Sequence, residues 1–503
     1  VRIALLPLDE RPVNATLPAQ VAAIAGAELL TPPAELLPSM RVPGRADELA
    51  EWLDDVSGAA DALVVSLDML GYGGLIGSRT THDPASTVIQ RLSVLDRIRP
   101  RRPDLPISAV TTVMRASRSY SPAEEPEYWS SYGVELHELG AALHRQFLGE
   151  PHDRDTLAAV PADIQADFLF RRLRNHTVDL YTLGLAGRGT VDPLLVTADD
   201  TAPRAAGSLE QVWLRHWVST TGLDGRVLMY PGADEVGSVL VARALGAGLD
   251  QPVRIAVRFC EETGPSRIAP YENVPISAGV ARQIVAAGGV PTETLSDADA
   301  VLVVHAPDPE RGDQAGRTGK AGSDQAAARA VADHVAHLVD DGHSVGVADV
   351  RYVNGADPVL VRELAERTVL DQIRAYGGWN TAGNTVGSVV AALVAHVVGR
   401  SRGVTDRTPE SRLRWHRVVE DYAYQAVVRG ELAKLAPYRD HMSVPFPDPA
   451  TVEAYLTTCA ERLAAVSSEL GGSDARRWEI TRLRLPWQRT FEIDFDLVPV
   501  PGS

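Results

Sequence analysis

The sequence predicts an α/β fold. Repeated βα units build either two parallel-sheet, Rossmann-like lobes or a (β/α)8-type barrel, followed by a C-terminal helical segment and a β-hairpin. Three observations carry that prediction. Short β-branched runs alternate with amphipathic helical windows over roughly the first 400 residues, the pattern of parallel strands joined by crossover helices. At 503 residues the chain exceeds what one hydrophobic core usually supports. One stretch of the pattern also occurs twice. Val1-Arg2-Ile3-Ala4, a helix, a short strand and Ala60-Asp61-Ala62-Leu63-Val64-Val65 are echoed by Val253-Arg254-Ile255-Ala256, a helix, a short strand and Ala298-Asp299-Ala300-Val301-Leu302-Val303.

In chain order, strands are expected at 2–6, 62–67, 107–113, 193–198, 226–230, 253–258, 300–305, 344–349 and 371–376. Helices are expected over 16–26, 162–186, 207–219, 236–247, 274–287 and 323–340. The echo favours two lobes over one barrel, with a first α/β region over 1–250, a second over 251–407 and a boundary near Gly248-Leu249-Asp250-Gln251-Pro252. The Gly-, Asp- and Arg-rich stretch 308–324 reads as a surface loop. The region 408–503 differs. It holds amphipathic helices at 409–437 and 449–470 around Pro445-Phe446-Pro447, then alternation over 477–498 about Leu485-Pro486-Trp487, as in a hairpin. This appendage is expected to cover or oligomerise the core rather than to carry chemistry.

Composition excludes several classes. A net charge of −17 repels nucleic-acid phosphates and anionic membrane surfaces, so neither is an expected partner. Lys320 and Lys434 are the only lysines, so nearly all positive charge is arginine. Cys260 and Cys459 lie too far apart in sequence to supply a disulfide framework or a cysteine metal site. The chain opens on a strand with no basic leader, and no run approaches the ~18 apolar residues of a membrane span. The expectation is a cytoplasmic protein, with self-association into a homo-oligomer left open.

In parallel α/β folds the carboxyl ends of the strands face the ligand crevice, and there the polar residues gather. After the first strand come Asp9, Glu10, Arg11 and Asn14. Asn14 suits a helix N-cap, but the three charges before it cannot all serve that cap. After the second come Asp68, Tyr72 and Arg79 amid glycines that match neither G-x-G-x-x-G nor a P-loop. The third delivers Arg115 and a loop with Tyr120 and Tyr128-Trp129, aromatics that suit a sugar face or simply close the loop. The fourth ends in Asp199-Asp200. Adjacent carboxylates repel when both ionise, so one pKa rises, and an acid beside a base is the minimum equipment for glycosidic hydrolysis. The fifth carries Tyr230 and then Asp234-Glu235, while Asn175 and His176 reach in from one face of the helix at 162–186. Later strand ends bring Asn354 and the amide- and hydroxyl-rich run Trp379, Asn380, Thr381 and Asn384, suited to neutral hydroxylated ligands. His82, His176, His305 and His343 stand apart, without the spacing of a helical zinc site. Asp9, Asp68, Asp199 and Asp200 could converge on Mg²⁺ or Ca²⁺, but neither a metal nor a cofactor is expected.

These segments closely resemble the bacterial domain-of-unknown-function 4127 family. The resemblance rests on Leu6-Pro7-Leu8-Asp9-Glu10-Arg11-Pro12-Val13-Asn14, Ser66-Leu67-Asp68-Met69-Leu70-Gly71-Tyr72-Gly73-Gly74 and Arg172-Leu173-Arg174-Asn175-His176. It continues through Ala198-Asp199-Asp200-Thr201-Ala202-Pro203, Tyr230-Pro231-Gly232-Ala233-Asp234-Glu235-Val236-Gly237 and Asn380-Thr381-Ala382-Gly383-Asn384-Thr385. It implies that the polar strand ends act as a set, and it imports no activity. Asp199-Asp200 alone is also similar to the site of O-GlcNAcase-type hexosaminidases. There one carboxylate orients the substrate's acetamido group as an internal nucleophile while its neighbour is the general acid/base; this is analogy only.

The function expected is therefore a glycoside hydrolase acting on small glycans or glycosides, with Asp199 and Asp200 catalytic and the other strand-end residues binding carbohydrate. Its rivals are a metal-dependent carboxylate-site hydrolase or lyase, and a non-catalytic two-lobe module that binds sugars or nucleotides.

Overall fold

The computed structural model describes residues 1–152, 159–308 and 325–501, so nearly all of the surface loop expected at 308–324 lies outside the described residues. The architecture is α/β, with two open parallel sheets and a C-terminal antiparallel hairpin. The chain divides into two compact units. The first comprises Val1–Ala15, Glu28–Ala244 and Tyr271–Val274; the second comprises Thr16–Ala27, Leu245–Pro270 and Pro275–Ser503.

The first unit holds β1 (Arg2–Leu6), β2 (Glu28–Leu30), β3 (Ala62–Ser66), β4 (Ile107–Val113), β5 (Leu194–Ala198) and β6 (Val227–Pro231), in the order β2-β1-β3-β4-β5-β6. Every residue of β3, β4 and β5 is buried. Helices cover both faces of such a sheet, so these strands read as continuous apolar runs rather than alternating ones. The order reverses at β1, and the crevice beyond β1 and β3 is where ligands of this topology bind.

The second unit holds β7 (Arg254–Phe259), β8 (Val290–Thr292), β9 (Ala300–His305), β10 (Val345–Asp349) and β11 (Ala375–Gly377), in the order β11-β10-β9-β7-β8. Its hairpin is β12 (Trp478–Arg484) with β13 (Asp494–Pro499). The first five strands of each sheet follow the same order, and the echoed sequences make the same bonds. Arg2 N donates to Asp61 Oδ2 and Arg254 N to Asp299 Oδ2, both at 2.8 Å. Asp61 N and Asp299 N return bonds to the carbonyls of Arg2 and Arg254, again at 2.8 Å.

Three segments differ from expectation. The strand expected at 371–376 begins only at Ala375, because Gln372 N and Ile373 N close a turn on the Val369 carbonyl. The glycine-rich stretch after β3 folds as two short helices, Leu67–Tyr72 and Leu75–Thr80. They hinge at Gly73 (φ 76°), where a Cβ would lie 2.4 Å from the Gly44 carbonyl oxygen. Trp129 opens a 20-residue helix, Trp129–Leu148, that buries Trp129, Leu136 and Leu139 at helical spacing and stops at left-handed Gly149.

The appendage belongs to the second unit and is more polar inside than its sequence suggests. The helix Thr408–Arg417 runs into an 11-residue π-helix, Val418–Val428. There Asp421 pairs with Arg417 and accepts from Gly378 N at 2.7 Å, tying the loop after β11. The helix Ala382–Ser401 is long and apolar enough to cross a membrane by length and composition, yet 89% of its apolar window is buried inside the fold, as in a core helix. At the opposite edge of this sheet, before β10, Ser344 Oγ lies 3.1 Å from His396 Nε2, and His396 Nδ1 lies 2.6 Å from Glu410. That chain ties two helices to the sheet at the strands' amino ends, away from their carboxyl edge.

Candidate active site

At the carboxyl edge of the first sheet the structure brings the predicted residues into two groups. The first joins the loops after β1 and β6. Arg11 donates to Asp9 Oδ2 from Nε (2.9 Å) and from a terminal nitrogen (2.6 Å), and bridges to Asp234 at 2.5 Å. Asn14 Nδ2 donates to Asp9 at 2.9 Å and to Asp234 at 3.2 Å. Asn14 thus serves this group rather than capping a helix. Leu8 and Ala233 of these loops pack with Leu75, from the helix Leu75–Thr80 after β3, as a small apolar cluster. Burial raises the pKa of Asp9, against the pull of Arg11. With Asp9, Arg11 and Asp234 all buried, this is a closed clamp that draws the ends of β1 and β6 together across the intervening strands.

The second group is more open. Arg79, on the helix after β3, pairs with Asp199 and reaches Glu124 at 3.1 Å. Arg115, after β4, donates to Asp200 Oδ2 at 2.8 Å, to Glu125 at 2.8 Å and to Glu124 at 3.0 Å, and lies 3.9 Å from Asp199. Two guanidinium groups therefore face four carboxyl groups. The Arg79 side chain is only 1% exposed, whereas Asp199 and Asp200 keep 15% and 28% of theirs in contact with solvent. Asp200 sits at φ 38°, a left-handed conformation that costs a non-glycine residue energy and that clusters at functional sites. Burial, reinforced by the charge of Asp199, pushes the Asp200 carboxyl up to about 7 despite Arg115 and Arg79. Asp200 thus holds a proton near neutrality, beside an Asp199 carboxylate held by Arg79.

Around these groups lies a supporting layer. Asp68 accepts from Thr112 N at 2.9 Å, and burial lifts its pKa to about 7. Asp179 accepts from Thr111 Oγ1 at 2.8 Å, and burial carries it well above the carboxylate range. Glu210 binds Arg172, which also donates to the carbonyls of Met114 and Arg115 and so fixes the strand end that presents Arg115.

Several predicted site residues do structural work instead. Glu10 accepts from Met40 N at 2.7 Å, and Glu235 turns back on Ala233 N at 3.0 Å. Tyr72 packs under the Arg174 guanidinium, 4.9 Å from its ring centroid. Asn175 donates to the Ser78 carbonyl at 2.9 Å, which braces the helix of Arg79. His176 leaves the group altogether and meets Trp213, ring centroids 5.6 Å apart. Tyr230 is buried in β6, with its hydroxyl unbonded among the described residues. The loop aromatics pin the loop after β4: Trp129 Nε1 closes it on the Ser117 carbonyl at 3.2 Å, and Tyr128 ties it to Asp167 of the helix Ala162–Gly187 at 2.7 Å. Asp9, Asp68, Asp199 and Asp200 are each committed to a different partner, and among the described residues no group of three or more His, Cys, Asp or Glu is arranged to hold a metal ion.

Asn354, Trp379, Asn380, Thr381 and Asn384 belong to the second unit. Asn354 N donates to the Asn380 carbonyl at 2.9 Å, with both residues at positive φ. The Trp379 ring lies under Arg417, and Thr381 is the N-cap residue of the helix Ala382–Ser401. Beside them, at the ends of β9 and β10, His305 Nε2 lies 3.1 Å from Asp357, whose N donates to Asp349 at 2.6 Å. His305 and Asp357 are fully buried. A cavity of about 430 Å³ in this unit, between Gln20, Arg412, Trp478 and Pro499, includes none of these residues.

Glu124 and Glu125 complete the group around Arg79 and Arg115, and sequence reading passed over them. They had one signal: an acidic pair held between Pro122 and Pro126 in the loop that follows Arg115.

A family model described as a protein of unknown function, DUF4127, matches residues 3–496 of the chain. No curated protein and no solved structure matches it.

Proposed function

The chain belongs to the DUF4127 family, proteins of unknown function, and from its own site we propose that it is a glycoside hydrolase acting on small glycans or glycosides. One observation carries this reading: of two adjacent, partly solvent-exposed acids, Asp200 keeps its proton to about pH 7 while Asp199 is ion-paired with Arg79. In that arrangement Asp200 protonates the glycosidic oxygen as its bond to the sugar breaks. Asp199 orients the substrate, an acetamido group in a hexosaminidase-like reaction, and balances the positive charge growing on the ring. Arg115, 2.8 Å from Asp200, stabilises the carboxylate left behind until it takes a proton from the incoming water.

A panel of aryl glycosides, N-acetylhexosaminides included, tests the reading. Wild-type turnover should fall as pH rises through about 7, because the proton donor empties there. Asp200→Asn should lose about 10³-fold in turnover while staying folded. Near-normal hydrolysis by Asp200→Asn would sink the proposal.

The rival reading is a hydrolase or lyase that needs a divalent cation, although among the described residues no three acids are arranged to hold one. Loss of turnover on chelation, restored by added metal, separates the two. Tight sugar binding without turnover would instead indicate a binding module.

A further inference from the structure

Nine of the nineteen most exposed large apolar side chains among the described residues fall on three helices of the first unit. Leu169, Phe170, Leu173 and Leu180 stand on Ala162–Gly187, with Phe170 and Leu173 at 69% and 58% exposure. Val212, Trp213 and Trp217 stand on Ala206–Thr220, and Phe147 and Leu148 end Trp129–Leu148. They form one patch. Trp213 meets Phe147 edge-on at 5.9 Å and His176 at 5.6 Å, so aromatic contacts join all three helices.

Beyond its first turns, where Asp163 is exposed, the outward face of Ala162–Gly187 carries no charge. From 168 to 184 its exposed positions are Leu169, Phe170, Leu173, Thr177, Leu180 and Gly184. Leu169, Leu173, His176 and Leu180 follow the four-three-four spacing of an a/d seam, which a second helix fits knob into hole. The charged residues of the same helix point elsewhere: Arg172 to Glu210, Asp179 to Thr111, and Arg171 and Arg174 to the Thr81 carbonyl. Beside the seam a groove of about 350 Å³ opens between Phe170, Leu173 and Thr177 on one side and Thr81, His82 and Pro84 on the other.

We propose that this face pairs with the same face of a second copy of the chain about a two-fold axis. Area and charge select that occupant. With whole aromatic side chains carrying about 150–250 Å², the nine residues leave on the order of 800 Å² exposed. That exceeds the largest patch of a typical monomer and equals one partner's share of a standard interface. At a net charge of −17 the chain repels anionic lipid surfaces and also other copies of itself. Two copies therefore meet most favourably where exposed acids are fewest, the exposed charge between Trp213 and Trp217 being the basic Arg215, and an isologous contact needs only one such patch. Pairing leaves the opposite face of the helix, with Arg172 and Asn175, on the strand ends it braces.

Sedimentation velocity on the full chain at ~50 µM tests this, since micromolar dimers are populated there. Wild type should sediment at twice 54.0 kDa. Leu173→Glu changes a solvent-exposed side chain and should weaken pairing at least about 100-fold, leaving a folded monomer by far-UV circular dichroism. Ile268→Glu, an exposed apolar site outside the patch, should stay dimeric. A monomeric wild type overturns the proposal, whatever protein or lipid the patch then binds. A dimer that survives both Leu173→Glu and Trp217→Glu overturns it too, because its interface lies elsewhere.

Discussion

The carboxyl edges of the two sheets share a strand order and a loading of acids, yet they spend those acids differently. In the first unit Asp199 and Asp200 remain in contact with solvent, and each answers to its own arginine. In the second, His305, Asp349 and Asp357 are sealed at 0–1% exposure and bonded mainly to one another and to Tyr376. Burial holds Asp349 up to about 6, and it holds Glu420 of the π-helix up to about 8. A raised pKa therefore does not by itself mark a reactive group. What separates the edges is whether the group that holds the proton can meet a substrate.

Substitutions of the arginines test that distinction most sharply. Arg417→Met should destabilise the fold by about 4 kcal/mol, because it leaves Asp421 and Glu420 buried without their partner. Turnover per folded molecule should not change; thermal unfolding with active-site titration checks both. Arg115→Met should instead act mainly on turnover, which falls about 100-fold; its stability cost should be the smaller of the two, because Asp200 and Glu124 reach water and the buried Glu125 keeps Arg79 3.9 Å away. Equal stability losses from the two variants would erase the contrast.

Asp68 gives the next largest effect. Its folded pKa of about 7 lies above its unfolded value of 3.8. Between those values the unfolded chain releases a proton that the folded chain keeps, so stability is lost as pH rises to about 7. Asp68→Asn should remove that loss, adding roughly 4 kcal/mol at pH 8 and almost nothing at pH 3.5. Denaturant midpoints at the two pH values measure the difference. Asp349→Asn should behave alike but more weakly, adding about 3 kcal/mol at pH 8 with the change complete by about pH 6. It should also leave turnover intact. Loss of turnover would move chemistry into the second unit.

The fold was legible because buried parallel strands announce themselves. Ala62-Leu63-Val64-Val65-Ser66 and Val345-Gly346-Val347-Ala348-Asp349 are short apolar runs that end in a polar residue. The twofold echo was legible for the same reason, and its aspartates, Asp61 and Asp299, prove to make matching bonds. Asp199-Asp200 stood out because adjacent acids at a strand end have few structural uses. Glu124 and Glu125 did not, since only the fold brings a loop ten residues beyond Arg115 back onto it. Nor could spacing separate Asn175, which braces Ser78, from His176, which faces Trp213: neighbouring helix residues point in different directions. The polar interior of the π-helix was likewise hidden, because Arg417, Glu420 and Asp421 look in sequence like the solvated face of an amphipathic helix.

The proton on Asp200 is the centre of this account, and carboxyl carbon NMR of aspartate-labelled protein reads it directly. Titration from pH 4 to pH 9 should show a resonance with a pKa of about 7 that disappears in Asp200→Asn, while a second, from Asp68, remains. If the only resonance removed by Asp200→Asn titrates in the ordinary aspartate range near 4, Asp200 is no proton donor at neutral pH and the acid/base assignment fails.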